Sequence, residues 1–158
     1  QIEEGDDCLT VRSDGKLKSI NIKTLPYPGF PTDLQSPLLT VLSIAGGMST
    51  VSERIFEKRF GVVSDLNRMG ADIQVQGNTA LVCGVRQLRG TNVEAKELRG
   101  GAALMIAGLC AHGETMILGY PFIERGYEDF HIKLQGLGAQ IDKVESEKDL
   151  QKFKLKIG

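Results

Sequence analysis

The chain repeats itself, and a repeat of this length constrains the possible folds more than any other feature of the sequence. The segment PTDLQSPLLTVLSIAGGMSTV resembles AKELRGGAALMIAGLCAHGETMI, and RFGVVSDLNRMGADI resembles RGYEDFHIKLQGLGAQI. Gly47 pairs with Gly113, 66 positions on, and Gly70 with Gly138, 68 on. The N-terminal stretch IEEGDDCLTVRSDGKLKSINIKT resembles only the later part of the unit, IQVQGNTALVCGVRQLRGTNVEAK. The expectation is one incomplete domain over 1–158: the end hairpin of a truncated repeat (1–24), then two repeats (25–93 and 94–158). The lack of an initiator Met and of the first unit's helices points to a piece cut from a longer protein.

Each copy reads alike. A first helix, starting at Leu34 or Leu98, is apolar on nearly every face and needs neighbours on most sides. A short strand follows, around Ser49–Val51 and Thr115–Ile117. The second helix is amphipathic in the last copy, where Tyr127, Phe130, Leu134 and Leu137 recur at helical spacing. Gly70 and Gly138 suit left-handed caps at its end. The first copy continues with a hairpin, Ile73–Val75 and Ala80–Val82 about a Gly77-Asn78 turn. In the last copy Phe153, Leu155 and Ile157 alternate with lysines, as in a half-buried strand. The predicted class is α/β, built of α+β repeats. One departure stands out. After Ile22 the first copy takes eleven residues to reach Asp33, whereas after Val93 the second takes four to reach Glu97. The extra residues, LPYPGFP, form a stiff loop that cannot join a central strand, and inserted loops often carry function.

Composition excludes several classes. With 19 basic and 20 acidic side chains, a net charge of −1 and 6% aromatic residues, the chain offers no nucleic-acid surface. The most apolar stretch, Gly100–Ala111, is far short of a membrane span, and the start lacks a signal peptide's features. Cys8, Cys83 and Cys110 show no CxxC spacing and read as reduced, partly buried thiols of a cytoplasmic protein. His112 and His131 have no second ligand at metal spacing.

At Phe30–Gln35, Phe56–Phe60, Leu98–Ala103 and Glu124–Glu128 the segments FPTDLQ, FEKRF, LRGGAA and ERGYE occur in order. In that register the chain resembles the C-terminal part of UDP-N-acetylglucosamine 1-carboxyvinyltransferases, of the enolpyruvyl transferase family. The resemblance covers the chain up to about Val144. It implies an inside-out α/β barrel of βαβαββ units, here two units plus the terminal hairpin of a third. It also implies transfer of enolpyruvyl from phosphoenolpyruvate to the 3-hydroxyl of UDP-N-acetylglucosamine, in peptidoglycan synthesis, without metal or organic cofactor.

The same resemblance makes Asp33 the general base and gives Arg59, Arg99 and Arg125 the carboxylate and phosphate of phosphoenolpyruvate. Ile55 matches a position whose backbone touches the sugar nucleotide, and Glu97 one where aspartate is common. The chemistry suits these residue types. Phosphoenolpyruvate carries about three negative charges, which guanidinium forks bind bidentately. An attacking alcohol needs a carboxylate within hydrogen-bond reach, and fixed positive charge stabilises the departing phosphate. The residues alone also admit plainer readings: Asp33 as a helix N-cap, and the arginines as solvated surface. Arg59 and Arg125 nonetheless precede the second helix at nearly equivalent places. Arg99 heads an uncharged helix, where the dipole disfavours a cation.

The family's reactive-cysteine loop is not in this sequence, so the chain alone is expected to be inactive and to need the missing N-terminal part as partner. Two other readings stay open: a fragment of the related shikimate-pathway enolpyruvyl transferase, and a non-catalytic interaction module.

Overall fold

Period-two and helical apolar patterns alternate along the chain, and the computed structural model, which describes residues 1–157, realises most of them. The strands are β1 (Ile2–Glu4), β2 (Leu9–Val11), β3 (Asn21–Lys23), β4 (Met48–Ser52), β5 (Asp72–Gln76), β6 (Thr79–Cys83), β7 (Asn92–Glu94) and β8 (Met116–Leu118). The helices are α1 (Gln35–Ser43), preceded by a 3-10 turn at Thr32–Leu34, then α2 (Val63–Arg68), α3 (Leu98–Cys110), α4 (Pro121–Glu124), α5 (Phe130–Gly136) and α6 (Glu147–Ile157).

Strands β4, β5 and β6 of the first copy join β3, from the segment before it, in a four-stranded sheet of order β3-β4-β6-β5. β3 runs parallel to β4, while β6 runs antiparallel to both β4 and β5. Because strand side chains alternate, register puts Ile22, Val51 and Ala80 in one row and Val82 opposite Ile73 in the next. This face meets α1 and α2 through Leu39, Leu42, Leu66 and Met69, all in one buried cluster. Each such side chain contributes about 1.5–3 kcal/mol by leaving water.

The repeat recurs in the backbone hydrogen bonds. Thr50 N donates to Ile20 O (3.2 Å), and Met116 N donates to Thr91 O (3.2 Å). Thr24 N donates to Ser52 O (2.9 Å), and Ala95 N donates to Leu118 O (2.9 Å). β7 and β8 accordingly pair in parallel, as β3 and β4 do. The two apolar helices α1 and α3 pack side by side. Thr40 Oγ1 donates to Ala103 O across their contact (3.1 Å), and Ala103, Leu104 and Ala107 complete the core begun by Leu39 and Leu42. Gly70 and Gly138 take the left-handed conformation expected of them, at φ 93° and 95°.

Three expectations need correction. The lysine-alternating tail is helical, as α6, and forms no strand. Leu150, Phe153 and Ile157 recur at helical spacing as well as the last two at strand spacing, and Glu, Lys and Gln favour helix where no neighbouring strand supplies a ladder. Ser146 opens the helix, its Oγ accepting from Asp149 N (3.3 Å). The second helix of the second copy is broken into α4 and α5. Asp129 turns left-handed between them (φ 47°), and Leu137 is left 86% exposed. Of the cysteines, all free thiols, Cys83 is half-buried but Cys8 and Cys110 are exposed. Cys8 precedes β2 in a hairpin with no covering layer, and Cys110 is the last residue of α3. Among the described residues no helix is long and apolar enough to cross a membrane.

Candidate functional site

Of the predicted site residues, Asp33, Glu97 and Arg99 lie at helix starts, Ile55 and Arg59 in the loop after β4, and Arg125 at the end of α4. α3 opens at Glu97, whose extended backbone (φ −158°, ψ 166°) is that of an N-cap. Its carboxylate accepts from Arg99 N (3.0 Å) and from Gly100 N, satisfying two of the helix's orphan donors. The cap that Asp33 offered in sequence is not made: neither the Thr32–Leu34 turn nor α1 has a side-chain cap. Asp33 instead projects its carboxylate, 71% exposed, toward two guanidinium groups. Its Oδ1 accepts from Arg99 Nη1 at 3.3 Å and lies 3.8 Å from Arg59 Nη1.

Arg59 reaches this point from the loop after β4. Phe56 places its ring 4.3 Å beneath the Arg59 guanidinium, a cation–π contact. Lys58 between them is left-handed (φ 57°). That conformation costs an L-residue roughly 1–2 kcal/mol. Arg59 Nη1 and Arg99 Nε are both buried and have no hydrogen-bond partner among the described residues. Each faces a carboxylate only at ion-pair distance, Asp33 Oδ1 at 3.8 Å and Glu97 Oε2 at 3.4 Å, and guanidinium donors without a hydrogen bond suit an incoming anion. They border a cavity of about 360 Å³ lined by Phe56, Arg59, Val62, Glu97, Arg99 and Leu104, among others.

The structure thus brings Asp33, Arg59, Arg99 and Glu97 together. Ile55 belongs to the same loop as Arg59, its amide donating to Glu53 Oε1 (2.8 Å). Arg125 makes no hydrogen bond or ion pair with the group among the described residues. It caps the end of α4, exposed, one residue before Gly126, where an added Cβ would come 2.7 Å from Leu98 Cδ2 at the head of α3. A larger cavity, about 470 Å³, lies near the ends of α1 and α3, bordered by Ile44 and Cys110. Among the described residues no cluster of three or more His, Cys, Asp or Glu is arranged to hold a metal.

Sequence reasoning missed Glu53. It is 1% exposed, yet it is a carboxylate. Burial pushes its pKa up, but hydrogen bonds from Thr24, Ile55 N, Thr32 and Phe56 N outweigh this and hold it below the ordinary glutamate value. The two copies differ here, the equivalent position in the second being Gly119. A second titratable group lies apart, around α4 and α5. There Tyr120 OH and His131 Nδ1 are 2.7 Å apart and Lys143 Nζ donates to Glu124 Oε1 (2.8 Å). Burial, with the nearby Glu124 charge, raises the Tyr120 pKa, and the bond to Glu124 raises that of Lys143.

Comparison with known proteins gives this arrangement a context. The sequence model of the EPSP synthase (3-phosphoshikimate 1-carboxyvinyltransferase) family matches residues 1–134. UDP-N-acetylglucosamine 1-carboxyvinyltransferase 2 of Carboxydothermus hydrogenoformans is 53% identical over 142 residues, which is 90% of this chain and 34% of that protein. The corresponding transferase of Magnetococcus marinus is 53% identical over 145 residues, covering 91% of this chain and 35% of that protein. Among solved structures, the enolpyruvyl transferase NikO of Streptomyces tendae superposes with a TM-score of 0.77 at 27% identity, covering 88% of this chain and 32% of that one. The chain spans about a third of the length of the curated relatives it matches.

Proposed function

The chain belongs to the EPSP synthase family of enolpyruvyl transferases, and from that premise we propose that it supplies one wall of a site that transfers enolpyruvyl from phosphoenolpyruvate to the 3-hydroxyl of UDP-N-acetylglucosamine. The observation that carries this reading is the meeting of Asp33, Arg59 and Arg99, from three separate segments, with the two arginines lining one cavity and each keeping a buried guanidinium nitrogen without a hydrogen bond. The names of relatives 53% identical favour the UDP-sugar acceptor over the shikimate one.

In this reading Arg59 and Arg99 hold the phosphate and carboxylate of phosphoenolpyruvate, and Arg125 joins them when the cleft closes. Asp33 takes the proton of the attacking hydroxyl, the backbone at Ile55 abuts the sugar nucleotide, and Glu97 fixes the head of α3 under Arg99. Addition of the hydroxyl oxygen at C2 of phosphoenolpyruvate with a proton delivered to C3 makes a tetrahedral intermediate, and loss of phosphate from C2 together with a proton from C3 restores the double bond in the product. The guanidinium groups stabilise the charge gathering on the leaving phosphate. The units 25–93 and 94–158, with the hairpin of 1–24, form an incomplete domain of an inside-out barrel, working in the cytoplasm with the remainder of the enzyme. Cell-wall precursor synthesis is the process served.

The test is a titration of the isotopically labelled chain with phosphoenolpyruvate, following the side-chain Nε resonances of Arg59 and Arg99. Both should move together and saturate at millimolar ligand. Arg99→Lys, which replaces a planar fork by a point charge, should weaken binding about tenfold, or about 1.4 kcal/mol. Resonances indifferent to phosphoenolpyruvate while the fold is intact would refute the reading.

A further inference from the structure

The buried carboxylate of Glu53 ties its own loop to the end of β3 and to the turn before α1. Oε1 accepts from Thr24 Oγ1 (2.7 Å), Ile55 N (2.8 Å) and Phe56 N (3.1 Å), and Oε2 accepts from Thr32 Oγ1 (2.8 Å). Thr32 immediately precedes Asp33. Phe56 carries the ring on which Arg59 rests. One carboxylate therefore grips both the turn that presents Asp33 and the loop that presents Arg59. Arg54 N donates to Thr24 Oγ1 (2.8 Å), which ties the loop to the end of β3 a second time.

The scaffold itself does not require this carboxylate, and the second copy shows why. There the position equivalent to Glu53 is Gly119, and that equivalent to Thr24 is Ala95. Gly119 sits left-handed (φ 76°) against the Ala95 carbonyl, where a Cβ would collide. The strand pair β7–β8 closes all the same. The buried acid occurs only in the copy that has the inserted LPYPGFP loop and the Asp33 turn. An ionised carboxylate is costly to bury without full hydrogen bonding, and here three of its four donors come from the turn and loop bearing the site.

We propose that Glu53 is a positioning residue of the anion site: through Thr32 on one oxygen and the Ile55 and Phe56 amides on the other, it sets the distance between Asp33 and Arg59. The inference rests on the enolpyruvyl-transfer reading above for what the site binds, though not for the geometry. Glu53 touches no substrate in this account.

The test uses the full chain with Glu53→Gln, Thr32→Val and Thr32→Ser. Thr32→Val keeps the shape and loses the hydroxyl, and Thr32→Ser restores it. Phosphoenolpyruvate affinity, read from the Arg59 and Arg99 Nε resonances, should fall about tenfold in Glu53→Gln and Thr32→Val and return to within about twofold in Thr32→Ser. The Ile55 and Phe56 amides should exchange with solvent about ten times faster in Glu53→Gln, while those of Leu39 and Val51 in the core keep their protection. Unchanged affinity in both Glu53→Gln and Thr32→Val overturns the inference, even if exchange rises, because the carboxylate is then only a local brace. Should the unaltered chain ignore phosphoenolpyruvate, the substrate reading fails instead. The positioning inference then stands if the Asp33 and Arg59 resonances move in Thr32→Val and return in Thr32→Ser, and falls if they do not.

Discussion

Replacing Glu97 with alanine should destabilise the fold, whereas replacing Asp33 should hardly do so, although both are acidic residues at the head of a helix. Glu97 accepts from the first free amides of α3, at Arg99 and Gly100. Removing a cap of this kind costs about 0.5–2 kcal/mol. Its ion pair with Arg99 Nε, 3.4 Å apart and partly exposed, adds at most a few tenths more after solvent screening. The sum is about 0.5–2.3 kcal/mol, which for a chain of this size lowers Tm by roughly 1–9 °C. Asp33 caps nothing and is 71% exposed. Asp33→Ala should therefore cost less than about 0.5 kcal/mol. Glu97→Asp, a shorter but favoured capping side chain, should recover most of the loss. Urea denaturation with a common m-value gives all three numbers. Equal losses for Glu97→Ala and Asp33→Ala, or none for Glu97→Ala, would refute the division of roles between the two carboxylates.

Other outcomes follow from burial and charge. The Leu39 side chain is fully buried between α1 and its neighbours, so Leu39→Ala should cost about 2.7–5 kcal/mol. Leu137 is exposed, so Leu137→Ala should change stability by less than about 0.5 kcal/mol. Chemical denaturation separates the two. Glu53 has its pKa lowered in the folded state, so its contribution is fully present above the unfolded value. It is lost as pH falls below the ordinary 4.5 and through the folded pKa. The stability gap between wild type and Glu53→Gln should therefore narrow as urea midpoints are taken from neutral pH into acid. A gap that widens in acid would contradict the assigned ionisation.

The repeat, the apolar helices α1 and α3 and the hairpin β5–β6 are legible in sequence because each follows from pattern alone. Apolar character all round predicts a helix with many neighbours, and a Gly77-Asn78 turn between alternating strands predicts a hairpin. The tail misleads because FKLKI alternates while Leu150, Phe153 and Ile157 also keep helical spacing, so a short window cannot decide. The break between α4 and α5 is hidden for another reason: it turns on Asp129 adopting a left-handed backbone, which no periodicity announces. At the site, motif register singles out Asp33, Arg59 and Arg99 as candidates. Their meeting depends on long-range contacts between loops. Glu53 escapes notice because a single buried acid in a strand–loop junction looks like any surface glutamate until its four donors are known.

The most direct measurement of the central claim is phosphate release from phosphoenolpyruvate and UDP-N-acetylglucosamine, with this chain alone and with the N-terminal two-thirds of a relative added. If the chain is one wall of the proposed site, it lacks by itself the opposing groups and the closed, water-excluding cleft that transition-state stabilisation requires. The account predicts no release by the chain alone and turnover once the complementary part docks. That turnover should be abolished by Asp33→Ala without loss of docking, and shikimate 3-phosphate should not replace the UDP-sugar. Robust release by the chain alone, or a docked assembly whose turnover survives Asp33→Ala, would contradict it.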